Sequence, residues 1–399
     1  MPSPQAPSPA AVHHRPTILG AAALLTLVLG AAQTAQAQTR GPIKIGAISS
    51  LTGPAVFPES SQAARAVFDR VNAAGGIGGR MIEYISEDDK FDPAAAAQAA
   101  RRLIDDEGVV ALVGSASPIE CNVNAALYGQ RGVLSVSGVG IDTKCFTSAN
   151  IAPVNVGPYS EAAAALFYAS GTLKRDKVCF VGNANPAQNA GYDGAVARWE
   201  KLSGQKLTLL DRSLRPGDDL TPTLLKVQRA GCEAVVFSGV EPQVVAWMNA
   251  AQTQKIKGID FIMLSAAYTD RIARALGGAG NGMYAVSAFE PFSGSAGALG
   301  DWRTLMNAGK VPLNSFSQAG YVAANVMVDA LKRVKGEITR QSVTAALRGL
   351  KNYRSPLMGS PYNFGSGANN PNQSVKIVRL RGGQWVTVNT TWLRLPAGQ

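Results

Sequence analysis

Histidine is almost missing from this sequence. Only two occur among 399 residues, and both, His13 and His14, lie in a segment that we expect to be removed. Ser-His-Asp triads, Cys-His pairs and His-ligated metal sites are then excluded. Phosphate-binding motifs are also missing, because the glycine-rich stretches at 75–80 and 277–282 have the wrong spacing. The G-x-S-x-G pattern of a nucleophile elbow does not occur either. We therefore expect no enzyme activity, no cofactor and no metal.

Charged residues are few, at 16%, while apolar residues make up 46%. Removing residues 1–37 leaves 37 basic and 27 acidic side chains, a net charge of +10. Lys and Arg are scattered without a dense basic run, so a solvated basic surface is favoured over a nucleic-acid partner. The length favours two domains.

The N-terminus has the pattern of a secretory signal peptide. Arg15 precedes an uncharged run of 16 residues, TILGAAALLTLVLGAA, and Ala35-Gln36-Ala37 has the small residues of a cleavage site. The run is shorter than the ~20 residues that a membrane-spanning helix needs. We therefore predict that segment 1–37 is a signal peptide cleaved near Ala37 and that the protein is periplasmic.

Only four cysteines are present, all after the predicted signal peptide. An even count in an exported protein favours disulfides, with three possible connectivities. If the chain has two lobes, local pairing is the economical choice, which joins Cys121 to Cys145 and Cys179 to Cys232.

Short apolar runs alternate with helical stretches from residue 43 onward. This alternation predicts parallel sheets covered on both faces, in two doubly wound lobes of an α/β protein. The predicted strands are 43–48, 81–86, 109–113, 133–136, 177–182, 206–211, 234–238, 259–264 and 283–287. Near the C-terminus, SVKIVRL and QWVTVNT flank two glycines and predict an antiparallel hairpin. Ligands of such sheets bind beyond the carboxyl ends of the strands.

Two serines follow the third predicted strand, in VVALVGSASPIEC at 109–121. Ser117 suits the N-cap of a helix over 118–130, with Pro118 in the first turn and Glu120 completing a capping box. Capping leaves Ser115 unexplained. Hydroxyls and free N–H groups at a helix start also suit a carboxylate or another oxygen-rich group, so we predict that both serines contact a ligand.

Other loops carry weaker candidates. The loop VSGVG at 136–140 permits close backbone approach, although a simple tight loop explains it equally well. Tyr192 has the size and polar tip expected of a cleft wall. For Phe57 and Tyr268, ordinary packing is an equal alternative. Asp88 and Asp89 end a strand, where a capping or inter-lobe role is favoured over acid–base chemistry.

Several segments, in order, resemble the periplasmic branched-chain amino-acid-binding proteins, the type I solute-binding components of ABC importers in the Leu/Ile/Val-binding group. They are IKIGAISSLTGP, ARAVFDRVNAAGGIGGR, EDDKFDPAAAAQAARRLI, VVALVGSAS and NFGSGANNPNQSVKIVRLRGGQWV. The resemblance implies two lobes joined by three crossovers, the third near 359–364, that close on a ligand by a hinge. The expected first lobe is 38–156 with 289–360, and the second is 157–288 with 361–399.

The resemblance also implies positions for the site. The family's serine matches Ser115 or Ser117, and one of its aromatic residues matches Tyr192. The position of the family's threonine falls near Gly140, and that of a second aromatic falls at Val240, so this chain lacks both side chains. The acid that holds the ligand's ammonium group falls at about Ala266, and Glu241 in a neighbouring loop is a candidate replacement. The predicted ligand-binding residues are Phe57, Ser115, Ala116, Ser117, Gly138, Val139, Gly140, Tyr192, Glu241, Ala266 and Tyr268.

The loss of an acid at Ala266 matters because a buried ammonium without a counter-charge is unfavourable. We therefore predict that the ligand is a small carboxylate or amide and not necessarily an α-amino acid. The resemblance implies an ABC permease with its ATPase subunits as partners, and we expect a monomer. The alternative function is a ligand sensor of the same fold that works with a receptor or regulator.

Overall fold

Two β-sheets form the framework of the part of the chain described by the computed structural model, residues 41–365 and 372–395. The first sheet is parallel, in the order β2-β1-β3-β4. Its strands are β1 (Ile43–Ser49), β2 (Ile82–Asp88), β3 (Ala111–Val113) and β4 (Ser135–Val136). The predicted signal peptide lies outside the described residues.

The second sheet repeats this order and extends it. Its strands are β5 (Val178–Asn183), β6 (Leu209–Leu214), β7 (Ala234–Ser238), β8 (Asp260–Met263), β9 (Tyr284–Ser287), β10 (Ser374–Arg381), β11 (Gln384–Thr387) and β12 (Leu393–Arg394). The order β6-β5-β7-β8-β9 is parallel, and the predicted C-terminal hairpin, β10 and β11, joins β9 antiparallel.

Helices connect the strands and cover the sheets. They are α1 (Pro58–Ala73), α2 (Pro93–Arg101), α3 (Glu120–Arg131), α4 (Thr143–Thr147), α5 (Pro158–Phe167), α6 (Pro186–Ser203), α7 (Thr221–Arg229), α8 (Glu241–Thr253), α9 (Asp270–Leu276), α10 (Gly300–Ala308), α11 (Ser315–Arg333) and α12 (Arg340–Arg348). Their starts carry the expected signals, since Asp92 accepts a hydrogen bond from the Ala95 N–H and Asn314 accepts one from the Ser317 N–H.

The α/β fold with two parallel-sheet lobes and a C-terminal hairpin confirms the predicted fold class. We call the β1–β4 sheet with its helices the first lobe and the β5–β12 sheet with its helices the second lobe. The chain passes between them before α5, after β9 and between α12 and β10. Residues 366–371 of the third passage lie outside the described part. The residue boundaries predicted for the lobes stay predictions.

Several predicted element boundaries differ from the structure, since the strands expected at 109–113 and 133–136 begin two residues later, at Ala111 and Ser135. The helix after β2 ends as an α-helix at Arg101 and continues as one wider π-type turn over Arg102–Asp106. The strand expected at 206–211 begins three residues later, at Leu209. The physical reason is that Glu200 on α6 accepts bonds from the Lys206 ammonium and the Leu207 N–H, which hold that approach outside the sheet.

Candidate functional site

The loops after β3 and β4 lie side by side at the carboxyl edge of the first sheet. Ala116 pairs with Ser49 on one side and with Val139 on the other, so the pairing of the strands continues into the loops. Ala116, Ser115 and Ser117 are all buried. This edge brings six of the predicted residues together, 115–117 and 138–140.

Both serine hydroxyls accept backbone hydrogen bonds here. Ser115 Oγ accepts from the Ile48 N–H at 3.1 Å, and Ser117 Oγ accepts from the Ile119 and Glu120 N–H groups at 3.2 and 3.1 Å. Ser115 thus has a structural partner that the sequence does not reveal. A hydroxyl also donates one proton. Within residues 41–365 and 372–395 neither hydroxyl donates a hydrogen bond, so each proton lacks an acceptor there.

The predicted capping box at Ser117 is wrong in one half. Ser117 caps the following N–H groups, but α3 begins at Glu120 and the Glu120 carboxylate accepts a hydrogen bond from the Tyr128 hydroxyl, about two helical turns further on. Glu120 is fully buried, and burial raises its pKa to about 8 against the opposing effect of the Tyr128 bond. The side chain turns inward because Tyr128 offers a buried donor.

The glycines of the 138–140 loop are required by packing. A Cβ at Gly138 would lie 2.1 Å from Ser60 Oγ, and one at Gly140 would lie 2.5 Å from the Pro153 ring. The Gly140 N–H and carbonyl both bond to the Asn155 side chain. These contacts favour the tight-loop interpretation of this segment.

Tyr192 lies at the corresponding edge of the second sheet. Its hydroxyl shares a 2.6 Å hydrogen bond with Ser238 at the end of β7, and its ring packs between Phe180 and Tyr159 at 5.1 Å from each. Tyr159 in turn contacts Phe146 of α4 edge-on at 6.2 Å. This aromatic row connects the two lobes beside the site. Ser238 is a polar partner that the sequence analysis missed.

Ala266 sits in a short turn after β8 that is held by a buried acid. Glu161, in the first turn of α5, accepts bonds from the Ser265 N–H at 2.9 Å and the Ser265 hydroxyl at 2.7 Å. Burial raises the pKa of Glu161 to about 7, with both Ser265 bonds acting in the opposite direction. The Glu161 carboxyl group therefore bonds to Ser265, the residue immediately before Ala266. The sequence does not reveal this role of Glu161, since a Glu in a first helical turn is ordinary.

Glu241, the candidate replacement for that acid, is already paired. Its carboxylate accepts bonds from Nε and Nη2 of Arg271, a bidentate ion pair at the start of α9. An Arg partner compensates the carboxylate charge. A ligand cation at Glu241 would therefore compete with Arg271.

The two weaker aromatic candidates differ in surroundings. Phe57 is half-buried and packs edge-on against Phe316 at 5.3 Å, where it borders the first-lobe site. Tyr268 is fully buried, stacks on Phe292 at 4.1 Å, and bonds to the Ser293 hydroxyl. Its contacts are those of a core residue.

The two predicted disulfides, Cys121–Cys145 and Cys179–Cys232, are confirmed. The first joins α3 to α4 behind the serine loop, and the second joins β5 to the approach of β7. Asp142 lies within 4.8 Å of the first pair, but both sulfurs are bonded to each other, which leaves one carboxylate as a possible metal ligand in that group. Asp88 accepts a bond from the Leu51 N–H and Asp89 accepts one from the Ser50 hydroxyl, and both bonds fix the loop after β1.

The chain belongs to the periplasmic binding protein family, whose model matches residues 42–384. The resemblance to its branched-chain amino-acid-binding group is thereby confirmed. Among relatives, a leucine-, isoleucine-, valine-, threonine- and alanine-binding protein of Pseudomonas aeruginosa is 24% identical over 77% of this chain and 82% of its own length. An amino acid binding protein of the same bacterium is 25% identical, and the chain spans 58% of that protein's length.

Solved structures show the same fold at low identity. A branched-chain amino acid transporter substrate-binding protein of Streptococcus pneumoniae in complex with isoleucine is 19% identical, with a TM-score of 0.75 over 89% of this chain and all of the other. A fatty acid ABC transporter substrate-binding protein of Thermomonospora curvata is 20% identical, with a TM-score of 0.76 over 89% and 93%. None of the helices in the described part of this chain is both long enough and apolar enough to cross a membrane.

Proposed function

We propose that this protein is the exported, periplasmic binding component of an ABC importer, which captures a small polar solute between its lobes and delivers it to a membrane permease. The observation that carries the proposal is the pair of buried hydroxyls, Ser115 and Ser117, whose oxygens are fixed by backbone N–H groups and whose protons lack an acceptor among the described residues. Fixed donors of this kind suit a carboxylate or amide oxygen.

The second lobe supplies the opposite wall of the proposed site. Tyr192 and Ser238 share a hydrogen bond at the end of β7, and the half-exposed turn at Ala266 follows β8. Both lie at the strand ends where sheets of this type bind ligands. A solute held between these walls and the serines would contact both lobes, as the resemblance predicts.

The solute class is a small carboxylate or amide. Relatives of this chain include proteins named for amino acids and one named for fatty acids, so the fold accepts carboxylates with and without an ammonium group. The position of the expected acid is Ala266, and Glu241 is neutralised by Arg271. These features support a solute whose carboxylate or amide oxygens, held by the serines, provide the main attachment.

A thermal-shift panel tests the proposal. The mature protein is screened against α-amino acids, their deaminated analogues, aromatic acids and amides including urea. A ligand at ~100 times its dissociation constant stabilises the fold by about 2.7 kcal/mol, which gives a shift of a few degrees for a chain of this size. We expect a carboxylate or amide to shift the melting temperature.

Ser117→Ala removes one hydroxyl proton, and Glu337→Gln, an exposed change remote from the serines, is the control. Ser117→Ala should reduce the shift, and Glu337→Gln should preserve it. A shift that is unchanged in Ser117→Ala, or a panel in which only compounds without a carboxylate or amide bind, would contradict the proposal.

A further inference from the structure

Three buried polar atoms lack a partner where the N-terminal ends of α1 and α11 meet. They are Glu59 Oε2, Ser315 Oγ and Gln318 Oε1, and within the described residues none of them makes a hydrogen bond. The three side chains are 6%, 6% and 0% exposed. Buried polar atoms in folded proteins are almost always paired, so three such atoms together need a partner from outside the protein's own side chains.

The contacts around these atoms hold them together. Glu59 Oε1 accepts a hydrogen bond from Asn314 Nδ2 at 3.1 Å, and Asn314 immediately precedes Ser315. Ser315 and Gln318 are three residues apart on α11 and therefore lie on one side of the helix. Gln318 Nε2 donates to the Glu290 carbonyl at 2.7 Å, which leaves its oxygen as the free end of the amide.

This cluster adjoins the serine loop of the proposed site. Ser60, the neighbour of Glu59, donates a 2.8 Å hydrogen bond to the carbonyl of Gly114, the neighbour of Ser115. The half-buried rings of Phe57 and Phe316 border the same helix ends. The cluster therefore lies on the first-lobe wall, because the Ser60–Gly114 hydrogen bond joins the residue next to Glu59 to the residue next to Ser115.

The pKa of Arg271, on α9 of the second lobe, is raised by the bond to Glu241, and the negative charge of Glu59 adds to this effect. Arg271 remains paired with Glu241, however, and Glu59 has no ion pair among those found in the described part of the chain.

The free atoms have one chemistry in common. A carboxylate oxygen and an amide oxygen only accept hydrogen bonds, and a serine hydroxyl can accept as well. Three acceptors with one negative charge match a group with several N–H donors, such as an ammonium, a guanidinium or a primary amide. They repel a second carboxylate, so they complement the serine donors and do not duplicate them.

We propose that Glu59, Ser315 and Gln318 form a subsite for an N–H-bearing group of the transported solute, while the Ser115 and Ser117 hydroxyls hold its carboxylate or amide oxygen. This inference rests on the proposed function, because it assigns the second end of the same solute. It places the donor-binding subsite on the first lobe and gives it residues on α1 and α11, whose starts are joined by the Asn314–Glu59 hydrogen bond across 255 positions of sequence.

Matched pairs of solutes test the subsite. Titration calorimetry on the mature protein uses a series of amino carboxylates from glycine to 5-aminopentanoate, together with L-leucine. The affinity of each compound is compared with that of the same acid lacking the amine. The chain-length series is used because the span between the two ends of the solute sets which member fits. We expect at least one amino compound to bind about 10- to 100-fold more tightly than its amine-free counterpart, as charge-assisted hydrogen bonds give.

Glu59→Gln keeps the shape of the side chain and removes the charge. It should abolish most of that preference and leave the affinity of the amine-free acid within about twofold, while Glu337→Gln leaves both unchanged. Ser315→Ala, which removes a hydroxyl at a second position, should reduce the same preference. Melting temperatures without ligand verify that the variants fold.

The outcomes separate the two proposals. Equal binding of amino and amine-free acids, or a preference that Glu59→Gln and Ser315→Ala leave intact, would overturn the subsite while the carboxylate-binding function stands. In that case the three atoms are satisfied by ordered water. Failure of every carboxylate and amide to bind would overturn the proposed function and the subsite with it.

Discussion

The buried carboxyl group of Glu161 makes the stability of this protein depend on pH. Burial raises the pKa of Glu161 from 4.5 to about 7, and both of its oxygens accept bonds from Ser265. The folded protein therefore binds a proton that the unfolded chain releases between about pH 4.5 and pH 7. Over that interval the free energy of unfolding falls as pH rises, and the loss levels off above the folded pKa.

The size of the effect follows from the gap between the two pKa values. A difference of about 2.5 pH units corresponds to about 3 kcal/mol at 1.36 kcal/mol for each unit. Glu161→Gln removes the titration and keeps the shape, since an amide can accept from the Ser265 N–H and donate to the Ser265 hydroxyl oxygen. The variant should match the wild type near pH 4.5 and be more stable by about 3 kcal/mol near pH 8.

Urea unfolding at a series of pH values measures this difference. Glu120, whose pKa is raised to about 8 by burial, titrates in both proteins, so its contribution cancels in the comparison. Glu337→Gln should show a difference from wild type that does not change with pH. If the Glu161→Gln difference were also flat across the series, the assignment of a raised pKa to Glu161 would be refuted.

Three further predictions concern stability. Removing the Cys179–Cys232 bond, which closes a loop with a sequence separation of 53, should lower the free energy of unfolding by about 4 kcal/mol. Removing the Cys121–Cys145 bond, with a separation of 24, should lower it by slightly less. Urea unfolding of the paired alanine variants measures both losses. Gly320→Ala should destabilise the protein by about 1–3 kcal/mol or more, because its Cβ would lie 1.8 Å from the Ser60 carbonyl oxygen. The control Gly129→Ala, with nothing within 4 Å of the new Cβ, should be neutral or stabilising. A neutral Gly320→Ala would contradict the tight packing of α1 on α11. Lys376→Met should lower the free energy of unfolding by about 3–5 kcal/mol, because Lys376 and Glu290 form a mostly buried ion pair. The control Lys206→Met, at a largely exposed ion pair with Glu200, should lower it by less than about 1 kcal/mol. Equal losses would show that burial of the first pair has no consequence for stability.

The fold was largely predictable because its signals are local. The alternation of apolar runs and helices identified the parallel strands of both sheets, and the hairpin followed from two strands around a glycine turn. The disulfides followed from the same division into lobes. What failed was also local in origin, since the capping box at Ser117 assumed that Glu120 would turn back toward the helix start, whereas a buried Tyr128 hydroxyl draws it inward.

The candidate site could be proposed from the sequence only where a strand end is itself the signal. Ser115, Ser117 and Tyr192 follow strands and were predicted as ligand contacts, which stays a prediction, whereas the Ile48 partner of Ser115 was not foreseen. Glu161 and Glu59 were missed because each is an unremarkable acid in a first helical turn. Their partners Ser265 and Asn314 lie 104 and 255 residues away, so only the fold brings them together.

The proposed function requires that one solute is held by both lobes at the strand ends. Titration calorimetry of the solute found by the panel, against wild type, Ser117→Ala and Tyr192→Phe, tests it most directly. We predict one solute bound per chain and a loss of about tenfold in affinity in each variant, since each removes one hydrogen-bonding group from an opposite wall. A solute whose affinity depends on only one of the two walls, or on neither, would contradict the account.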